Sequence, residues 1–307
     1  MTYYDTQLEK AQSLLGSLLH DPGNGLFKGK NRPFILSDPL NNLWPGICQD
    51  ALAYFENHDI TWWESGNKPT NHPLSSQIAC INYLYPIRQR EDMATALLRV
   101  IDPDIDKAVP LDTGYVEFEM TGKEKLGGER ILKRGANCTS IDAMMLGETK
   151  SSSRILFLIE WKYVEDYRGQ KSKRDTDGGD TRFENYKDLL GKSDCPVIHP
   201  RKEDLFYEPF YQLMRQTLLG WEMVKRNDFE YGAADWRHVH AIPRDNLELR
   251  NTVTSPNLGG DTLEAAWKQC LKEPEKYIVI DPGDWFQSLK GLPDVKAWLG
   301  YLEKRYW

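Results

Sequence analysis

The sequence is short of several things, and each shortage removes a class of protein. It has five cysteines (Cys48, Cys80, Cys138, Cys195 and Cys270), odd in number, scattered, and without a CxxC pair. That argues against a disulfide framework and a zinc ribbon, and it fits a reducing cytoplasm. No apolar run approaches the roughly 20 residues that span a bilayer, and mean hydropathy is −0.60. The opening "MTYYDTQLEKAQSLL" lacks a basic stretch and a continuous apolar one, so no export signal is read there. Positive charge is not in excess: 39 Lys and Arg stand against 46 Asp and Glu, for a net charge of −7. Such a chain does not coat nucleic acid through charge alone, although a few local cations could hold phosphates beside clustered carboxylates. Internal repeats, low-complexity tracts, a helix-turn-helix and zinc fingers are also missing.

What is present is an ordinary globular composition. The 307 residues are 40% hydrophobic and 28% charged, enough to bury a real core. Aromatics are plentiful, with 10 Trp and 15 Tyr. They serve core packing first, and a stacking surface for bases or sugars is the alternative use.

Residues 5–20 place Leu8, Ala11, Leu14, Leu15 and Leu18 on one helical face, and "HDPGNG" ends that helix. Residues 22–48, rich in Pro, Gly and Asn, read as irregular, and 48–58 as a short helix. Pro73, Ser75 and Ser76 give a helix start, Pro86 divides the segment, and 90–101 continues as a second helix before a turn at "IDPDID" (101–106). From residue 114 the period changes to two. "GYVEFEM" (114–120), "CTSIDAMMLG" (138–147) and "RILFLIEWKYV" (154–164) read as strands, the last two joined by "ETKSSS". A polar loop (168–181), a short helix (182–191), a long helix after Pro209 in the segment 205–227 and a buried strand (237–243) follow, then a helix at 261–272 and an amphipathic C-terminal helix. The order helix, three strands, helix, strand predicts an α/β fold with one sheet between helices. No linker divides the chain, so it reads as one domain: a core of about residues 70–245, an N-terminal helical region (1–70) and a C-terminal helical extension (246–307).

The chemistry gathers where the third strand ends. Residues 155–159 are five apolar residues in a row, as in a strand buried on both faces, and they run straight into Glu160, Trp161 and Lys162. Acid-x-Lys occurs twice more, at Glu148–Lys150 in a hairpin and at Asp294–Lys296 before the last helix, but only this one terminates an apolar strand. Side chains two apart on a strand share a face, roughly 6.6 Å apart, so Glu160 and Lys162 look one way and Trp161 the other. Asp142, on the preceding strand, falls beside Glu160 if the two strands pair. Adjacent carboxylates repel and raise each other's pKa unless a cation sits between them. A hard divalent ion takes such oxygens together with water and phosphate, and the Trp161 carbonyl would be a further ligand.

Asp142 followed by Glu160-Trp161-Lys162, in this strand context, resembles the PD-(D/E)xK restriction-endonuclease-like nuclease superfamily. The wording "RGANCTSIDAMM…LIEWKY…PFYQLMRQTLL…HVHAIP" is similar to bacterial members of its putative nuclease branch, over roughly residues 71–245. Ile141 stands where the proline of the name would be. The resemblance implies a restriction-endonuclease-like core, a mixed central sheet flanked by helices in the order αβββαβ, with helical additions at both ends. It implies that Asp142, Glu160 and the Trp161 carbonyl hold Mg²⁺ or Mn²⁺ and that Lys162 orients water or stabilises charge on the phosphorane. A further acid would complete the site: Glu129 first, Glu117 or Glu119 second. Gln212 is similar to the helical glutamine of some exonuclease-like members, and Arg215, one turn on, would contact a phosphate. Arg168, Lys171, Lys173 and Arg174, in "YRGQKSKR", would track a backbone, with Tyr167 stacking on a base. His238 and His240, alternating on the last strand, read as core or surface residues rather than metal ligands.

The function implied is a Mg²⁺-dependent deoxyribonuclease, an endonuclease acting on DNA rather than RNA in the cytoplasm, away from membranes. It would act in defence against phage or foreign DNA, as a homodimer or with a partner protein. Two alternatives stay open: a catalytically idle nuclease-fold protein that binds nucleic acid or a partner, and a carbohydrate-active enzyme built on paired acids.

Overall fold

The computed structural model describes residues 1–134, 138–198, 201–225 and 230–307. Helix α1 (Tyr3–Ser13) opens on a capping box between Thr2 and Asp5. A minimal ribbon, β1 (Leu26–Phe27) and β2 (Lys30–Asn31), and helix α2 (Cys48–Asn57) follow. The Ser75 hydroxyl caps α3 (Ser76–Leu84) by accepting from Ile78 N at 3.3 Å, and Pro86 lies in a short 3₁₀ turn that separates α3 from α4 (Glu91–Ile101). Glu91 and Asp92 in the first turn of α4 and Arg99 in its last suit the helix dipole.

Next come β3 (Ile105–Val109), β4 (Glu117–Met120), β5 (Ile141–Thr149) and β6 (Arg154–Trp161), then α5 (Gly179–Gly191), α6 (Phe210–Lys225) and β7 (Asp235–Ala241). The chain closes with α7 (Leu247–Arg250), α8 (Leu263–Lys268), β8 (Tyr277–Ile280), α9 (Pro282–Gln287) and α10 (Lys296–Tyr306). Among the described residues no helix is long and apolar enough to cross a membrane.

The main sheet has the order β3-β5-β6-β7-β8, and β4 shares the outer edge of β5 with β3. β5 and β6 are antiparallel, with Ala143 opposite Ile159 and Glu148 opposite Arg154. β6, β7 and β8 run parallel. This is the α/β fold that the element order predicts and the mixed central sheet that the resemblance implies.

Both faces of β6 are covered, which explains its unbroken apolar run. Phe157, Ile159 and Trp161 pack into one layer with α2, α3, α4, α9 and α10; Leu156 and Leu158 pack into the other with α5, α6 and α8. Each such side chain contributes on the order of 1.5–3 kcal/mol by leaving water. Gly220 on α6 permits a close approach, since a Cβ there would lie 3.1 Å from Leu158 Cδ1 and 3.3 Å from Trp236 Cδ2. The close approach sets α6, and the glutamines on it, over the end of β6.

Several elements depart from the sequence reading. Helix α1 ends at Ser13, short of the "HDPGNG" expected to end it. "IDPDID" is not only a turn: Ile105 and Ala108 are buried in β3 while Asp106 and Lys107 are exposed, and a register irregularity between Ile105 and Lys107 hides the alternation. Residues 246–307 supply the edge strand β8 as well as helices, because four residues paired on one side carry too little periodicity to read. The helix predicted at 182–191 starts at Gly179, after Gly178 turns the chain with φ 77°. Of the long helix predicted to 227, residues 226–227 lie outside the described residues.

Candidate active site

The β-ladder places three acids in one row. Continuing the register one step past Ala143–Ile159 sets Asp142 beside Glu160, and between the pairs Phe118–Ala143 and Met120–Ile141 Glu119 lies across from Asp142. Glu119 has a left-handed backbone, φ 50°, costly for a residue with a side chain. Phe118 and Met120 accordingly belong to opposite core layers, as do Ala143 and Ile141. The break in alternation leaves Glu119 and Asp142 committed to neither layer. Both line a cleft of about 530 Å³, with Glu160, Trp161, Lys162 and Gln212.

Hydrogen bonds hold the group. The Trp161 amide donates to Asp142 Oδ2 at 2.7 Å. Lys162 Nζ donates to Glu160 Oε1 at 2.5 Å and to Gln212 Oε1 at 2.7 Å, and it stands 5.8 Å from the centre of the Tyr167 ring. Gln216 Nε2 donates to Glu160 Oε2, and Gln216 Oε1 meets His238 Nε2 at 3.1 Å. Gln77 Nε2 donates to Glu119 Oε1 at 2.8 Å. The Trp161 indole packs with Tyr83, Trp285 and Phe286 in the far layer, so it is the backbone of this residue that serves the carboxylates.

The acids repel one another electrostatically. Burial, then the charges of Glu160 and Glu119, push the Asp142 carboxyl well above the ordinary range; burial, then Glu160, raise Glu119 too. Burial pulls Lys162 down, but Glu160 foremost, then Tyr167, Glu165 and Asp142, carry it well above its usual value. It stays protonated at neutral pH. His238 is held down to about 3 by burial and by Lys162, and both His238 and His240 are neutral core residues.

Among the described residues no three His, Cys, Asp or Glu side chains gather into a metal cluster on their own. The donor set still suits Mg²⁺ or Mn²⁺, which take one or two carboxylates and fill their remaining positions with water and phosphate oxygens. Two carboxylates offer about eight acceptor positions, more than the bonds above use. The repulsion raising Asp142 is what a divalent ion would relieve.

Several predicted site residues lie elsewhere. Glu129 is outside the cleft: its carboxylate accepts from Thr139 N at 3.0 and 3.1 Å, from Thr139 Oγ1 at 2.5 Å and from Tyr186 OH at 2.5 Å. It pins the approach to β5, whereas Glu119 lines the cleft. Glu117 is tied to Thr113, Tyr54, Arg88 and Arg134, also away from the cleft. None of the loop cations lines the cleft. Arg168 pairs with Asp166 at 2.6 Å, Lys173 with Glu208 at 3.6 Å, Arg174 with Asp180 at 3.5 Å and Glu203 at 3.6 Å, while Lys171 is exposed. Arg215 sits 4.8 Å from the Tyr211 ring centre, in the Tyr186 environment rather than the cleft. Gln212 is in the cleft as expected.

Gln216 was not singled out in the sequence, although its position four residues after Gln212 puts it on the same helical face. The residues of the opposite wall, from the first third of the chain, carry no local signal at all.

The two outer acids separate in a simple comparison. Glu129→Ala is expected to lower unfolding free energy by about 1–3 kcal/mol, because Thr139 and Tyr186 lose a buried partner, and to leave the Mg²⁺ dependence of any cleavage unchanged. Glu119→Gln is expected to shift that Mg²⁺ dependence. Urea denaturation and a metal titration of activity read both.

A family model described as Restriction Endonuclease associating with ARP matches residues 18–307. No curated protein and no solved structure matches the chain.

Proposed function

The chain belongs to the restriction endonuclease family described as associating with ARP, and on that footing we propose that it is a metal-dependent deoxyribonuclease. The reading is carried by one observation: the acid row Glu119–Asp142–Glu160 and a protonated Lys162 line a single cleft.

Asp142, Glu160 and the Trp161 carbonyl would hold Mg²⁺ or Mn²⁺. When bound, the ion supplies Lewis-acid polarisation of a phosphodiester oxygen and a water acidic enough to attack near neutral pH. The protein's own groups set the rest. The water oxygen bonds to phosphorus and gives up a proton to solvent, while the bond from phosphorus to the sugar oxygen breaks and that oxygen takes a proton from solvent. Lys162, steadied by Glu160 and Gln212, brings a fixed positive charge to the phosphoryl oxygens where negative charge builds in the transition state. Gln216 holds the second oxygen of Glu160 and is itself steadied by His238. Glu119 completes the acid set and orders the attacking water.

The family description supports DNA and internal cutting over RNA and end-trimming, and its reference to ARP supports action with a partner protein. The word restriction in that description supports a defence role against phage or foreign DNA. Double-strand cutting needs two such sites, so the proposal includes a homodimer. The five unpaired thiols fit the cytoplasm.

Purified protein is expected to convert closed circular plasmid to open and linear forms with Mg²⁺ or Mn²⁺, and EDTA is expected to abolish this. Cutting that ignores EDTA, or no cutting with either ion on plasmid, linear duplex or single strand, would contradict the proposal.

A further inference from the structure

The wall of the cleft facing the acids is aromatic. Among the described residues, Tyr4, at 38%, and Trp63, at 51%, are the two exposed Phe, Tyr or Trp side chains, and both line this cleft. Phe27 continues the wall, edge-on to His72 with ring centres 5.0 Å apart. Burial keeps that imidazole down to about 4, so it presents a neutral ring at working pH. The wall is tied directly to the chemistry: Trp63 N donates to Gln77 Oε1 at 2.9 Å, and Nε2 of the same amide donates to Glu119 Oε1 at 2.8 Å.

Much of the nearby positive charge is already paired. A duplex is held through phosphates by lysine and arginine; among the loop cations Arg168, Lys173 and Arg174 are paired with carboxylates while Lys171 is exposed, and Lys28 on this wall stands 2.7 Å from Glu64. A cleft of about 530 Å³ has room for a nucleotide or two. Aromatic faces bind bases without regard to sequence, because every base has a π-face.

We infer that Trp63, with Tyr4 and Phe27, stacks an unpaired base, so the substrate of this cleft is a single strand, or a strand with a nucleotide out of its duplex. The phosphate next to the stacked base then lies against Asp142, Glu160 and Lys162. This rests on the nuclease reading and narrows it.

The test is binding of a labelled short single-stranded DNA, the same strand made abasic, and the blunt duplex, by fluorescence anisotropy with Mg²⁺. It uses full-length protein carrying Asp142→Asn so that no strand is cut. Trp63→Ala added to this background is expected to weaken single-strand binding about tenfold or more, and Tyr4→Ala to weaken it less. Trp63→Phe should restore most of the affinity, which a misfolded variant could not show. The abasic strand should bind at the weakened level with Trp63 present and lose nothing further on its removal. Equal binding of the normal strand with and without Trp63, a duplex bound more tightly than the single strand, or no binding of any strand would overturn the inference. The wild-type cleavage assay separates this from the nuclease reading. Trp63-dependent binding without Mg²⁺-dependent cutting would sink catalysis and keep the stacking wall. Mg²⁺-dependent cutting that is indifferent to Trp63→Ala would do the reverse.

Discussion

Asp142→Asn is expected to lower Mg²⁺-dependent cleavage by more than about 10³-fold while raising the stability of the metal-free protein. A bound cation contributes several kcal/mol of transition-state stabilisation, and each 1.36 kcal/mol is tenfold in rate. Asparagine keeps an oxygen for the Trp161 amide, so the β5–β6 junction stays closed. The stability sign follows from the carboxyl's surroundings. Burial, Glu160 and Glu119 hold its folded pKa above the unfolded value. An acid shifted that way stabilises the fold only below its unfolded pKa and costs stability once the pH has risen through the folded one. An amide never ionises, so the variant should gain on the order of 1 kcal/mol at neutral pH in EDTA. Melting curves and plasmid cleavage on one preparation read both effects. A variant that is less active and less stable would point to damage rather than to loss of a ligand.

The second large effect falls on Lys162. Glu160 is 1% exposed and Lys162 5% exposed, and removing one partner of a buried ion pair costs about 3–5 kcal/mol because the other charge is stranded. Lys162→Met is therefore expected to destabilise by about that amount and to cut the rate by about 10²–10³-fold, the usual loss when one donor to developing charge is removed. Glu160→Gln combined with Lys162→Met should recover most of the stability, since the stranded charge is gone, and none of the activity. Recovery of cleavage in the double variant would show that Lys162 serves only to neutralise Glu160.

How much of this was readable in the chain depends on range. The run at 155–159 and its exit into Glu160 and Lys162 were legible because a strand covered on both faces must be apolar throughout, which leaves its charged end conspicuous. Asp142 was legible through its apolar flanks. Glu119 was ranked below Glu129 because its place in the cleft comes from a left-handed backbone at one residue, and no side-chain pattern encodes that. Glu129 is the first choice on sequence, but Thr139 and Tyr186, brought to it only by the fold, occupy its oxygens. The loop cations matched a phosphate track in composition, but Asp166, Glu208 and Asp180 claim them in space. The aromatic wall was out of reach for another reason. Tyr4, Phe27 and Trp63 come from a helix, a two-residue strand and a turn, and only long-range packing brings them to the ends of β4, β5 and β6.

The claim on which the rest depends is that Asp142 and Glu160 jointly chelate one divalent ion. Mn²⁺ titration followed by electron paramagnetic resonance measures this without requiring turnover or a substrate. One bound ion per chain is expected in the wild-type protein, displaced by excess Mg²⁺ and lost in Asp142→Asn. A wild-type protein that binds no Mn²⁺, or an Asp142→Asn variant that binds it unchanged, would contradict the account.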